Sequence, residues 1–214
     1  METLFPRVLV GCPTHESKKD SLAAYMDGVS RLTYTTFDVV LEDNSPTPAY
    51  SELLQKYAAR WEKKHAGRTF RIIYSGIEHP RVRGRIVNGR NKIREIVLRE
   101  NYDYFFSLEQ DVIPPPDAIE QLLAARKDIV GGVYTNNVRV NGVLKHLPVI
   151  MEYPNEEARK KGTGQWVSFP FLFPSRIVEV AAIGLVCELI SQQALAKIHF
   201  RFDETKEAFD DMHF

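Results

Sequence analysis

Apolar positions in the first part of the chain follow two rhythms in turn. Short, mostly apolar runs at 7–10, 37–41, 71–74, 104–108 and 128–134 are bounded by charged or turn-forming residues and predict buried strands. Between them, 17–31, 49–65, 88–100 and 117–126 predict helices. In the second of these, Leu53, Leu54, Tyr57, Ala58 and Trp61 recur near the 3.6-residue period. Strands alternating with helices predict βαβ units and a mostly parallel sheet. After Tyr134 the rhythm changes. Residues 136–147 alternate polar and apolar around Asn141-Gly142, a favoured hairpin turn. Residues 148–174 are rich in loop formers and carry an aromatic group of Trp166, Phe169, Phe171 and Phe173. A strand over 178–186 and a short helix over 191–198 follow.

Composition narrows the class. A chain of 214 residues makes one large domain or two small ones and can bury a real core. Lys plus Arg and Asp plus Glu both number 28, so no net field points to nucleic acid or an anionic membrane. No apolar run approaches the roughly 18 residues of a transmembrane helix. The N-terminus lacks a basic region followed by an apolar stretch, the mark of a signal peptide. Cys12 and Cys187, far apart, fit a reducing compartment and read as small buried hydrophobes. A cytoplasmic protein is expected.

Candidate chemistry lies where the strands end. In open α/β sheets, ligands bind outside the carboxyl ends of the strands. Three of those ends carry suitable groups: Pro13-Thr14, then Glu42-Asp43-Asn44-Ser45, then Glu109-Gln110-Asp111. Side chains at i and i+2 of a strand share a face, so Glu109 and Asp111 are expected to point together. Such a pair can hold a hard divalent cation, and the cation a diphosphate. Each segment alone reads as an ordinary turn. Three in strand order, one with metal-ligand spacing, make a stronger signal.

These motifs resemble the GT-A fold nucleotide-sugar glycosyltransferases, nearest in pattern to the inverting family 2 group. The resemblance rests on Gly11-Cys12-Pro13-Thr14, Glu42 to Ser45, the Arg90-Asn91 pair and the acid-x-acid triplet after 104–108. It continues through Pro114 to Asp117, Ile129 to Gly132, the stretch 181–186 with its glycine, and Phe209 to Phe214. It thus runs almost from end to end. There are departures. Glu109 stands where Asp is commoner, and the Gln-x-x-Arg-Trp motif of processive members is absent. The sequence stops at Phe214, where members usually continue into a further helix, so a short form or a piece of something longer is expected.

The resemblance implies one α/β GT-A domain, with 1–112 as the donor nucleotide-binding half and 113–214 as the acceptor and catalytic half. It implies metal-dependent transfer of a sugar from a nucleoside diphosphate sugar to a hydroxyl, with inversion. Donor-binding residues would be Pro13, Thr14, Glu42, Asp43, Asn44, Arg90, Glu109, Gln110 and Asp111, with Arg83 and Arg85 as further cations. Mn²⁺ or Mg²⁺ would be held by Asp111, Glu109 and His213. Asp211 aligns with the general base, and Asp210 would orient the acceptor or the base. Without the family pattern, these two acids read equally as an acidic first helical turn. The implied partners are a UDP- or GDP-type sugar and a hydroxyl on a sugar, a lipid-linked sugar or a small molecule. No nucleic acid is expected, and peripheral membrane contact is left open. Two alternatives stand beside this reading: a non-catalytic nucleotide-sugar-binding module, and a sugar-phosphate nucleotidyltransferase. Gly11 to Thr14 lacks the Gly-rich loop that the latter would need.

Overall fold

A computed structural model describes residues 5–202. The expected alternation is present. β1 (Val8–Thr14) leads through a 3-10 turn (Glu16–Ser21) to α1 (Leu22–Ser30), then β2 (Phe37–Asp43), α2 (Ala49–Lys64), β3 (Phe70–Tyr74), α3 (Val82–Arg99) and β4 (Tyr104–Leu108). Next come α4 (Ala118–Ala124) and β5 (Ile129–Gly131). A hairpin follows, β6 (Thr135–Val140) and β7 (Val143–Pro148), then β8 (Ile150–Glu152), α5 (Glu156–Lys161) and β9 (Gln165–Trp166). The described chain finishes through β10 (Ala182–Ile183), β11 (Cys187–Ser191) and α6 (Gln192–Lys197).

The main sheet has the order β3-β2-β1-β4-β11-β5. β1 pairs in parallel with β2 and β4, and β2 with β3, whereas β11 runs antiparallel between β4 and β5. From β1 the chain steps outward to β2 and β3. The long helix α3 then carries it back to β4, on the other side of β1. The reversal makes a topological switch point between β1 and β4, the place where open α/β sheets bind ligands.

Alternating side chains send each strand's apolar residues to both faces, so the sheet carries a core on each. On one face Val8, Val10, Val39, Leu41, Phe106 and Leu189 pack with residues of α1, α2 and α4. On the other, Leu9, Val40, Phe105 and Ile190 pack against α3 and α6. β1 is buried over its whole length, as an inner strand covered on both faces must be. Gly11 lies opposite Val40 of β2, and a Cβ there would sit 2.2 Å from the Val40 carbonyl oxygen.

Several elements differ from their sequence expectations. The predicted helix over 17–31 is broken into a 3-10 turn and α1, and α3 begins at Val82 instead of residue 88. The predicted strand over 178–186 is reduced to β10, and the strand that enters the main sheet is β11 just beyond it. Two-residue β10 pairs with β8, which also pairs with β9, so two strands from the region predicted to be loop-rich and one from the predicted strand form a separate small antiparallel sheet. The hairpin is where it was expected, and Asn141 and Gly142 take φ of 49° and 81°, the left-handed pair that such a turn requires.

Candidate functional site

The carboxyl ends of β1, β2 and β4 come together, and Gln110 joins them. β4 stops at Leu108, and the backbone turns at once, with the Val112 amide donating to the Glu109 carbonyl at 3.0 Å. Glu109 and Asp111 therefore lie beyond the strand in a turn, and the shared strand face expected of them is not formed: one side chain meets Arg90 and the other Lys18. The middle residue of the triplet is the buried one. Gln110 Oε1 accepts from the Thr14 hydroxyl and from the Tyr50 hydroxyl at 3.0 Å, while Nε2 donates to the Lys18 carbonyl at 2.8 Å. Burying an amide is tolerated only when its donors and acceptors are met, and here they tie the acid turn to β1 and α2.

The two acids on either side meet different fates. Glu109 Oε1 accepts from Arg90 Nη2 at 2.8 Å, and the two side chains are only 19% and 7% exposed. Burial pushes the Glu109 carboxyl up, against the pull of the Arg90 guanidinium beside it. Asp111 lies at the mouth, 47% exposed, and is paired with the ammonium of Lys18, itself 43% exposed. A ligand reaching the site meets Asp111 and Lys18 first.

The turn after β2 is built by its own side chains. Asp43 Oδ1 accepts from the Ser45 amide at 2.9 Å and Oδ2 from the Ser51 hydroxyl at 2.6 Å, so both of its oxygens are engaged in shaping the loop. Asn44 N donates to the Thr14 carbonyl at 3.0 Å, joining this turn to the end of β1. Glu42 is buried, with the Asn44 amide 3.4 Å from its Oε2. Burial pushes its carboxyl above the ordinary value, while hydrogen bonds from Ser75 and Asn44 act the other way. α3 can approach this close only because Gly89 faces the sheet: a Cβ there would lie 2.2 Å from Glu42 Oε2 and 2.9 Å from Pro13 Cβ.

The same helix fixes the chain on the far side of the site. Asn91 donates through Nδ2 to the Phe200 carbonyl at 2.9 Å and accepts from the Phe200 amide at 3.1 Å. Arg94 Nε donates to the carbonyls of Leu195 and Ile198 at 2.8 and 2.7 Å. Successive turns of α3 thus hold the acid turn and the stretch leading away from α6.

Of the residues expected to bind the donor, Pro13, Thr14, Glu42, Asp43, Asn44, Arg90, Glu109, Gln110 and Asp111 are all at this end of the sheet. Asp43 and Gln110 are engaged in holding the turns together. Asp210, Asp211 and His213 lie outside the described residues. Cys12 is a core residue of β1, its thiol pushed well up by burial, and Cys187 is pushed up to about 11 for the same reason. Lys18 and Tyr50 join the site without a motif of their own in the sequence. The helix predicted over 17–31 gave Lys18 no distinct place, and Tyr50 reads as one more apolar position at the start of α2. A cavity of about 630 Å³ bounded by Tyr34, Tyr104, Glu120 and Asp128 opens at the opposite, amino-terminal edge of the strands, away from these residues.

Among the described residues, no three His, Cys, Asp or Glu side chains gather as a metal cage. An open carboxylate instead fits a cation that keeps several waters and is shared between one or two acids and a substrate's phosphates, the usual manner of Mg²⁺. Asp111 is such a carboxylate.

No family model matches the sequence, and neither does any curated protein. The fold does match solved structures. The crystal structure of S. aureus TarS aligns with a TM-score of 0.51 at 14% identity, covering 96% of this chain and 32% of that one. TarS 1–349 in complex with UDP gives 0.52 at 15%, covering 96% and 53%. The apo structure of the bifunctional glycosyltransferase WbbM gives 0.51 at 12%, covering 92% and 34%. The chain therefore spans about a third to a half of these proteins. Its fold is that of the GT-A glycosyltransferases: a mixed central sheet flanked by helices.

Proposed function

We propose that the chain is a glycosyltransferase that moves a sugar from a nucleoside diphosphate sugar to a hydroxyl acceptor, with inversion and with Mn²⁺ or Mg²⁺. The observation that carries this reading is the acid-x-acid turn at the carboxyl end of β4, beside the switch point of a GT-A sheet, with Asp111 open at its mouth. TarS 1–349, similar in fold, was solved in complex with UDP, which supports a nucleotide as the ligand class. Residues 1–112 then act as the donor half and 113–214 as the acceptor half, although β11 of the second half completes the sheet of the first.

Breaking the sugar bond places negative charge on the departing diphosphate. A divalent cation, when bound, would supply Lewis-acid neutralisation of that charge. Asp111 would hold the cation by one carboxylate, leaving further positions to phosphate oxygens and water. Arg90 keeps Glu109 from becoming an uncompensated buried charge and so holds the acid turn in place beside the donor. Pro13, Thr14, Glu42 and Asn44 would wall the nucleoside. Asp211 would accept the acceptor's proton from the side opposite the diphosphate, with Asp210 orienting it. A second reading, a nucleotide-sugar-binding module without turnover, is favoured by one observation: Glu109 is already neutralised by Arg90.

The test is a panel of UDP- and GDP-sugars with and without Mn²⁺, read by calorimetry and by release of diphosphate. Asp111→Asn is expected to weaken metal-dependent donor binding by about 10-fold or more. Asp211→Asn is expected to bind donor normally and lose transfer by about 10²–10⁴-fold. Unchanged binding in the first variant removes Asp111 from the metal site. Near wild-type transfer in the second removes Asp211 from the mechanism, and tight donor binding without turnover in the wild type establishes the second reading.

A further inference from the structure

Lys18 is held by its backbone at one end and half exposed at the other. Its amide donates to the His15 carbonyl at 2.8 Å, and its carbonyl accepts from Gln110 Nε2 and the Ser21 hydroxyl, each at 2.8 Å. The backbone of this residue is thus pinned to the middle of the acid turn. The side chain reaches across the mouth to Asp111 and is 43% exposed. Its charge also acts on Glu109, pulling that carboxyl down against the effect of burial. With Arg90 on Glu109 and Lys18 on Asp111, each acid of the triplet is balanced by one cation.

From this we propose that Lys18 is a diphosphate-binding residue: it holds Asp111 in the free protein and moves onto the donor's phosphate oxygens when a divalent cation takes the carboxylate. The assignment rests on the nucleotide-sugar reading above. Arg90 cannot make this exchange, since it is buried to 7% exposure and leaving Glu109 would strand a buried charge. Lys18 can, because its ammonium is a point charge on a flexible stem and needs no fixed fork geometry. An ammonium and a divalent cation repel each other at one carboxylate. A diphosphate between them turns the repulsion into two attractions. Cation and nucleotide should therefore bind cooperatively, and by linkage each should raise the other's affinity by the same factor.

Lys18→Met keeps the length of the stem and the backbone hydrogen bonds but removes the charge. Titration calorimetry would follow Mn²⁺ binding to nucleotide-free protein, and UDP and GDP binding in EDTA and in Mn²⁺. The variant should bind Mn²⁺ about 10-fold more tightly than wild type without nucleotide. In Mn²⁺, where Lys18 is released from Asp111, it should bind the nucleotide about 10-fold more weakly than wild type, and the loss should be smaller in EDTA. Lys18→Arg, which restores a cation, should recover most of the nucleotide affinity. Unchanged affinities in Lys18→Met, with wild type still binding nucleotide, overturn the role of Lys18 and leave the donor reading standing. Failure of the unsubstituted protein to bind either nucleotide overturns the donor reading and this assignment with it.

Discussion

Residues 8–131 and residues 132–186 are held together in different ways. In the first region, strands buried on both faces lock four parallel neighbours and the helices over them into shared cores. In the second, the hairpin β6–β7 is a sheet of its own, and the β10-β8-β9 sheet is built from strands of two or three residues. Large apolar side chains there face outward: Val143 and Leu144 at the hairpin tip are 58% and 61% exposed, and Phe173 is 74% exposed. A two-stranded hairpin in water is marginally stable by itself. The first region carries the residues gathered at the strand ends, locked between two cores, while in the second large apolar side chains are left outside any core. Precision and adaptability are thus assigned to different stretches of one chain.

The sharpest way to break this contrast is at Gly11. Gly11→Ala would force a Cβ to within 2.2 Å of the Val40 carbonyl, a backbone atom that cannot step aside. A loss of about 3 kcal/mol is expected from such overpacking, read as a fall in Tm on the order of 10 °C. A near-normal Tm would mean that the first region is as adaptable as the second.

A smaller effect of opposite sign is expected at Glu42. Its folded-state carboxyl is raised above 4.5, chiefly by burial, so the folded chain holds that proton more tightly than the unfolded one. The burial penalty is therefore absent well below 4.5 and develops as pH rises through the folded value. Glu42→Gln should raise the Tm at pH 7, and the gain should shrink in denaturation curves taken toward pH 4.5. A gain independent of pH would show that the charge is not its source.

The smallest effect belongs to the hairpin tip. Leu144→Ser replaces an exposed side chain and should change stability by less than about 0.5 kcal/mol in denaturant unfolding. A larger loss would reveal that the tip is packed in solution and would erase the contrast.

The first region was the more legible one for the same physical reason. Tyr104 to Leu108 carries three aromatic residues and a leucine with only Ser107 between them, and β4 has those bounds. β11 was hidden because Glu188 and Ser191 interrupt its apolar character, although both are buried, while the more apolar stretch before it drew the strand assignment. The start of α3 was hidden by Gly84 and by Arg81, Arg83 and Arg85, which read as a loop until the helix is seen to pack on His79 through that glycine. At the site, residue types were informative but orientation was not. Nothing local told that the backbone would turn at Glu109, that Gln110 would point inward, or that Lys18, 93 positions away, would meet Asp111.

The place of β11 has a consequence for the order in which the protein can be made. β4 gains β1 as a neighbour early, but its other edge stays bare until a segment about 80 residues later emerges from the ribosome. Until then a nascent chain exposes a strand of Tyr, Phe and Leu with unpaired amides and carbonyls, the kind of edge that recruits other chains. β5, which pairs through β11, must wait as well. The acid turn hangs from that same strand end, and the Glu109 amide donates to the Val186 carbonyl just ahead of β11. Maturation of the site is therefore coupled to the late arrival of one antiparallel strand, and a ribosome stalled before it would leave a sticky, unfinished intermediate.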